Sequence, residues 1–378
     1  MTVRVQVKRE VIEWALARAG MDIAHFPEVL AWLSGEKQPT VRQLEHFARK
    51  VHVPFGYLLL DAPPESMAPP LPFFRTGKAN PDPWISPNVY DSIMMIKRRQ
   101  EWLREYLVEI GASPLAFVGK YDTTADPKRI AHDMRTTFQL DMEWARHFNN
   151  WNQALNGLVK IAENHGIVVV FNGVVGNNPH RPIPVEECRG FVLVDAMVPF
   201  LFINNNDFLS AKMFTLAHEL AHIWLGHSAG FDFRQLQPAD NPIEKLCDRV
   251  AAEFLVPEES FTKVWNLSRS NPEIIEKLAR HFKVGPIVIA RRALDTGLWT
   301  REQFFDFYES YKRDHRRIKA RESSGGDFYA TAKKRISEYF ARYIRQAVDA
   351  GDLLYRDAYR LTGLNRKTFD KFYEYLMH

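Results

Sequence analysis

The sequence predicts an α+β chain that is mostly helical, with one small β-sheet flanked by helical modules at both ends. Three observations carry that expectation. Apolar residues recur at helical spacing over most of the 378 residues. Short β-branched and aromatic runs crowd between 167 and 206. A proline-dense stretch at 61–88 sets a small amino-terminal module apart from the rest. A chain this long exceeds one ordinary core, so about two or three domains are expected. The divisions read from the sequence are a helical module at 1–60, a linker at 61–88, an α+β domain at 89–300 and a basic helical module at 301–378.

Taken in order, VRVQV alternates and reads as an edge strand, after which VIEWALARAG and VRQLEHFARKV carry helical spacing broken by Gly20 and the GEKQP turn. Within the linker, Phe73, Phe74 and Trp84 call for burial, so an extended run laid across a neighbouring domain is expected. From Val89 to about Leu107 the pattern is helical, and DPKRIAHDMRTTF and FNNWNQALNGLVKIAENHG predict two further helices. The second stops at Gly166 and leads into IVVVF, a buried strand, followed by strands in RGFVLVD and PFLFINNN. Beyond Pro257 the pattern is helical apart from ESSGGD at 322–327.

Hydrophobic content of 46% with 25% charged residues describes a soluble globular chain, and the net charge of +4 permits a nucleic-acid partner without requiring one. Cys188 and Cys247 are the only cysteines, too few for a disulfide framework. The amino terminus lacks an apolar signal segment, and no run of about 18 apolar residues occurs, so a cytoplasmic protein with no membrane partner is expected.

The stretch TLAHELAH at 215–222 is the chemically informative one. On a helix, His218 and His222 stand one above the other and can reach one ion, while Glu219 beside the first can contact a water on that ion. That is the H-E-x-x-H arrangement of zinc peptidases, in which Glu219 serves as general base. Zn2+ with an open position for water needs a third protein ligand. NPIEKLCDRVAAEFLVP offers Glu244 as that ligand and, one turn on, Asp248 as acceptor for the outer N–H of a ligand histidine. Alternative ligands are His227, were the chain to turn after the glycine that puts it on a different face, and Cys247 as a thiolate, although between apolar neighbours it reads first as a buried neutral thiol; Glu253 lies half a turn out of phase and should be solvated.

The stretch INNNDFLSAKMFTLAHELAHIWLGH, followed by EKLCDRVAAEFLVP, resembles the ImmA/IrrE family of metallopeptidase domains, and RGFVLVD with PFLFIN is similar to that family's strand pair. The likeness runs from about Ile161 to Val264, with weaker echoes in LPFFRT and in LARHFKVGPIVIARRALDTG. It implies a zincin-like metallopeptidase domain with a gluzincin-like zinc site: His218, His222 and Glu244 as ligands, Glu219 as base, and a repressor-like regulatory protein as substrate. Ala221 stands where glycine is common, and Cys247 and Val250 stand where alanine and phenylalanine are typical. Ala221 is still small enough for close packing. An extended substrate is expected to add at the edge of the small sheet.

The amino-terminal module resembles an Xre-type helix-turn-helix in VLAWLSGEKQPTVRQLEHFARKVHVPFGYLLL, although its recognition helix, HFPEVLAWLSGE, presents almost no Arg, Asn or Gln to base edges. At the other end KRDHRRIKARE and AKKRIS are basic and favour an acidic protein or nucleic acid. A rival reading therefore makes the chain a DNA-binding regulator, or an antitoxin-like binder of a toxin, with the metallopeptidase fold as scaffold.

Overall fold

Helices form where apolar spacing and capping chemistry coincide. In the computed structural model, which describes residues 3–64, 73–74, 85–231, 241–268, 273–318 and 327–377, the first are α1 (Arg9–Ala19), α2 (Pro27–Leu33) and α3 (Val41–Lys50). Gly20 closes α1 in the left-handed conformation, and Thr40 with Gln43 forms a capping box at the start of α3. VRVQV differs from expectation: it makes only an isolated bridge, Arg4 to Thr40, because Thr40 turns at once into α3 and leaves no partner strand to extend the ladder. These helices enclose their own core around Ile12, Val29, Leu44 and Phe47. The described residues fall into two compact units divided between 91 and 92, with Phe73–Phe74 belonging to the second.

The next elements are β1 (Phe73–Phe74), α4 (Pro87–Glu109), α5 (Pro127–Thr137), α6 (Trp151–Asn164), β2 (Val168–Asn172), β3 (Val174–Val175), β4 (Asn178–Pro182), β5 (Gly190–Leu193), β6 (Phe200–Asn204), α7 (Leu209–Leu225) and β7 (Ala229–Phe231). Helices α8 (Pro242–Leu255), α9 (Glu258–Ser268), α10 (Ile274–Phe282), α11 (Pro286–Asp295), α12 (Arg301–Ile318), α13 (Phe328–Ile336), α14 (Glu338–Ala350), α15 (Tyr355–Thr362) and α16 (Arg366–Met377) complete the order. The chain is thus the expected mostly helical α+β fold with a small mixed sheet, ordered β1-β7-β5-β6-β2. Strand β2 runs parallel to β6, β5 runs antiparallel to both β6 and β7, and β1 runs parallel to β7. The linker thus adds an extended pair to the sheet, as an unhelical proline-rich run can, while Trp84 lies outside the described residues. The β3–β4 hairpin escaped the sequence reading because its second strand, NPHRP, contains two prolines, tolerable in a two-stranded pair with an irregular register.

Helix α7 is apolar nearly all round and accordingly lies in the core, every side chain from Met213 to Leu225 being buried. It packs on β5 and β6 and against α5, α6 and α8. Its carboxyl end is clamped. Gly119 N–H and Tyr121 N–H donate to the Ile223 and Trp224 carbonyls, Phe117 stacks on Trp224 at 4.5 Å, and Trp224 Nε1 donates to Asp133 Oδ2 at 2.9 Å. Gly226, at φ 75°, ends the helix. A rigid, water-excluding helix is what a preorganised polar site requires.

Candidate metal centre

Two helices bring the polar cluster together. On α7, His218 and His222 face one way, their Nε2 atoms 3.1 Å apart. On α8, Asn241 caps the amino end by accepting from Ile243 and Glu244 N–H, and Pro242 occupies the first turn, which aims Glu244 and Asp248 at α7. Glu244 Oε2 lies 3.0 Å from His218 Nε2, and Glu244 Oε1 lies 3.4 Å from His222 Nε2. On its other nitrogen, His218 Nδ1 meets Asp248 Oδ1 at 3.0 Å. His218, Glu219, His222 and Glu244 are all buried.

Burial and charge act in opposite senses here. Desolvation alone would lower the pKa of His218, yet the Asp248 and Glu244 carboxylates outweigh it and hold the imidazole up at about 10. Desolvation likewise works to raise Glu244, but the two histidines win and keep its carboxyl far below the ordinary range. At Glu219 burial wins, although the charge of His218 opposes it. Burial, with the charge of Glu244 adding to it, lifts its carboxyl to about 8.

Several of these atoms have unspent valence. Among the described residues, both carboxylate oxygens of Glu219, Nδ1 of His222 and Oε1 of Glu244 are buried with no hydrogen-bond partner. The 3.4 Å approach of Glu244 Oε1 to His222 is ion-pair contact without hydrogen-bond geometry. Two imidazole nitrogens and carboxylate oxygens turned on one point, in a site that water does not reach, fit a metal cation. Cys247 belongs to the same cluster: its Sγ and the ring nitrogens of His218 and His222 lie within 4.8 Å of one another. Burial and the carboxylates of Glu244, Asp248 and Glu219 push that thiol well above its usual range, which disfavours a thiolate there.

The alternatives resolve as follows. His227 follows the left-handed Gly226 and is exposed, outside the cluster. Glu253 corrects the expectation of solvation. It is buried and ion-paired with Arg292, whose own helix, α11, supplies a counter-charge that spacing along α8 does not reveal.

Gly190 is a site residue that sequence reasoning missed. A Cβ there would lie 2.6 Å from Thr215 Cγ2, 3.0 Å from the Phe202 carbonyl oxygen and 3.1 Å from Glu219 Oε1. Only glycine therefore lets β5 approach α7 so closely and form the wall against which the Glu219 carboxylate rests. A glycine opening a strand was the available signal. Both edges of β5 are paired, with β6 over Gly190–Leu193 and with β7 over Gly190–Val192, so the strand nearest Glu219 has no edge for a substrate to extend.

No curated protein matches the chain. Residues 336–375 match a domain of unknown function (DUF8813), and no helix among the described residues is long and apolar enough to cross a membrane. Residues 162–294, which hold Glu219, the two histidines, Glu244, Asp248 and Gly190, match the model of a peptidase family described as IrrE N-terminal-like domain, which gives the chain a domain of metallopeptidase type.

Proposed function

We propose that the chain is a zinc-dependent endopeptidase that cleaves a repressor-like regulatory protein in the cytoplasm. The observation that carries this reading is the convergence of His218 Nε2, His222 Nε2 and Glu244 beside a buried, unpartnered Glu219 carboxylate. In this reading His218, His222 and Glu244 hold the ion. Glu244 is preferred to Cys247 because its carboxylate already touches both imidazoles, whereas the thiol would have to ionise among three acids. Two imidazoles and a carboxylate with one open position suit zinc. Bound zinc supplies Lewis acidity toward the scissile carbonyl and makes a water easier to deprotonate.

The remaining work falls to the protein. Glu219 accepts a proton and returns it to the leaving amine, its buried carboxylate being next to His218 on α7 and engaged by no hydrogen bond among the described residues. Asp248 fixes the orientation of His218 through Nδ1. Gly190 keeps the wall behind Glu219 close and dry.

The test is a comparison of newly formed peptide amino termini in a cell lysate treated with the zinc-loaded chain or with its Glu219→Gln variant. Cleavage that is specific to the wild type and abolished in a folded, metal-retaining variant supports the reading. Identical termini in the two samples overturn it.

A further inference from the structure

Away from the metal centre, a cavity of about 520 Å³ opens between one face of α6 and the end of α13, within the range of small-molecule sites. Residues 152, 156, 160 and 163 of α6 and residues 330, 333, 334 and 337 at α13 and its carboxyl cap fall at helical spacing, so each contributes one continuous stripe to the lining. Facing helix stripes in a folded domain are ordinarily apolar. These are polar: the α6 stripe is Asn152, Asn156, Lys160 and Glu163, the α13 stripe carries Lys333 and Lys334, and Lys212 of α7 and Arg342 of α14 bring the lining to five cations against two acids, Glu163 and Glu338.

The acids do not neutralise that charge. Glu338 pairs with Lys333 at 2.6 Å. Glu163 is buried, accepts a hydrogen bond from the Ser337 hydroxyl, and is lifted by desolvation to about 7. Lys212 donates to Asn205 through its carbonyl and side-chain oxygens, both at 3.0 Å. Lys160 and Lys334 have no carboxylate within ion-pair distance among the described residues, whereas Arg342 lies over the Tyr339 ring at 5.6 Å and its charge opposes the upward shift of Glu163. Ser337 adds backbone strain at the same place, being a non-glycine residue at φ 75°, as functional linings often are. The floor of the cavity is apolar, formed by Leu155 of α6 with Val169 and Phe171 of β2, of which Phe171 keeps the most exposure at 6%, and Asn156 and Asn164 of α6 add hydrogen-bonding groups.

We propose that this cavity is a binding site for a phosphorylated organic molecule of nucleotide size, its phosphates held by Lys160, Lys334 and Arg342 and its organic part laid on Val169 and Phe171. Lysines in number suit phosphate as point charges, and the amide groups suit a polar ring edge. A carboxylate ligand would leave most of the cationic charge unmatched. The ligand would join α6 to the segment at 336–375, giving that segment a chemical partner of its own.

Calorimetric titration of the full chain as purified, in buffer without added divalent metal, with ADP, AMP and inorganic phosphate tests the assignment. The expected result is one saturable site for ADP, at least tenfold weaker when Lys160→Glu and Lys334→Glu are combined and tighter than for inorganic phosphate. Lys160→Gln with Lys334→Gln, a milder pair, should weaken ADP in the same direction should the charge reversal unfold the chain. No binding of ADP, binding unaltered in folded variants, or phosphate bound as tightly as ADP overturns it. Displacement of ADP by an oligoglutamate peptide at equal concentration would assign the cavity to acidic protein instead and overturn it equally.

Discussion

His218 is held from both sides: Asp248 Oδ1 takes its Nδ1 at 3.0 Å while Glu244 Oε2 meets its Nε2 at the same distance. The first contact leaves Nε2 as the nitrogen available to an ion, and it fixes the ring plane without itself facing the cluster. Asp248→Ala should therefore leave the fold intact, since its side chain is a quarter exposed, and weaken metal affinity by about 10- to 100-fold. Competition against a chromogenic chelator measures this, and unchanged affinity would remove Asp248 from the centre.

Gly190→Ala tests the wall behind Glu219. The added methyl meets the Phe202 backbone oxygen and the Thr215 methyl as well as the Glu219 carboxylate, so β5 and α7 must separate. A loss of about 1–3 kcal/mol of stability is expected, in the range of overpacking, together with impaired proteolysis beyond what the lost stability explains. Denaturant unfolding and cleavage rates below the transition separate the two effects.

How much of this was legible beforehand depends on the range over which each residue is determined. The four-residue intervals from His218 to His222 and from Glu244 to Asp248 are local, and helical geometry alone sufficed to put each pair on one face of its own helix. The strands at 168–172, 190–193 and 200–204 were equally local, being short β-branched or aromatic runs between turns. What escaped was set by distant partners. Glu253 is buried because of an arginine 39 positions away, and Gly190 is required because of a helix that follows it by a strand and a turn. The two-residue β1 and three-residue β7 stabilise each other and have no periodicity long enough to read. The roles assigned to His218, His222, Glu244 and Glu219 rest on proximity and chemistry, which the metal experiments below decide.

Arg292 and Glu253 make a buried pair that ties α11 to α8. Arg135 donates to the Glu253 carbonyl at 2.7 Å, so the same turn also anchors α5. Arg292→Met strands a carboxylate in the interior and should cost about 3–5 kcal/mol, whereas Arg292→Met combined with Glu253→Gln should recover part of that loss. Chemical denaturation of the two variants checks the order, and a double variant no more stable than the single one would contradict it.

Glu163 predicts a pH dependence of stability. Its folded carboxyl is raised by desolvation from 4.5 to about 7, so the folded state disfavours ionisation that the unfolded chain permits. The stability associated with the protonated form is fully present below about 4.5 and is lost as pH rises through about 7. Glu163→Gln keeps an acceptor for the Ser337 hydroxyl and removes the titration. Above pH 7 it should be more stable than the wild type by up to ~3 kcal/mol, with the advantage vanishing toward pH 4.5. Equal stability of the two proteins at pH 8 would show that Glu163 is ionised without penalty.

The central claim is that α7 and α8 hold a metal ion, and its most direct test is the metal content of the chain purified without added metal, beside His218→Ala. Elemental analysis should find about one zinc per wild-type chain and almost none in the variant, with both folded by circular dichroism. A well-folded wild type that carries no metal, and takes up none when zinc is supplied, would contradict the account.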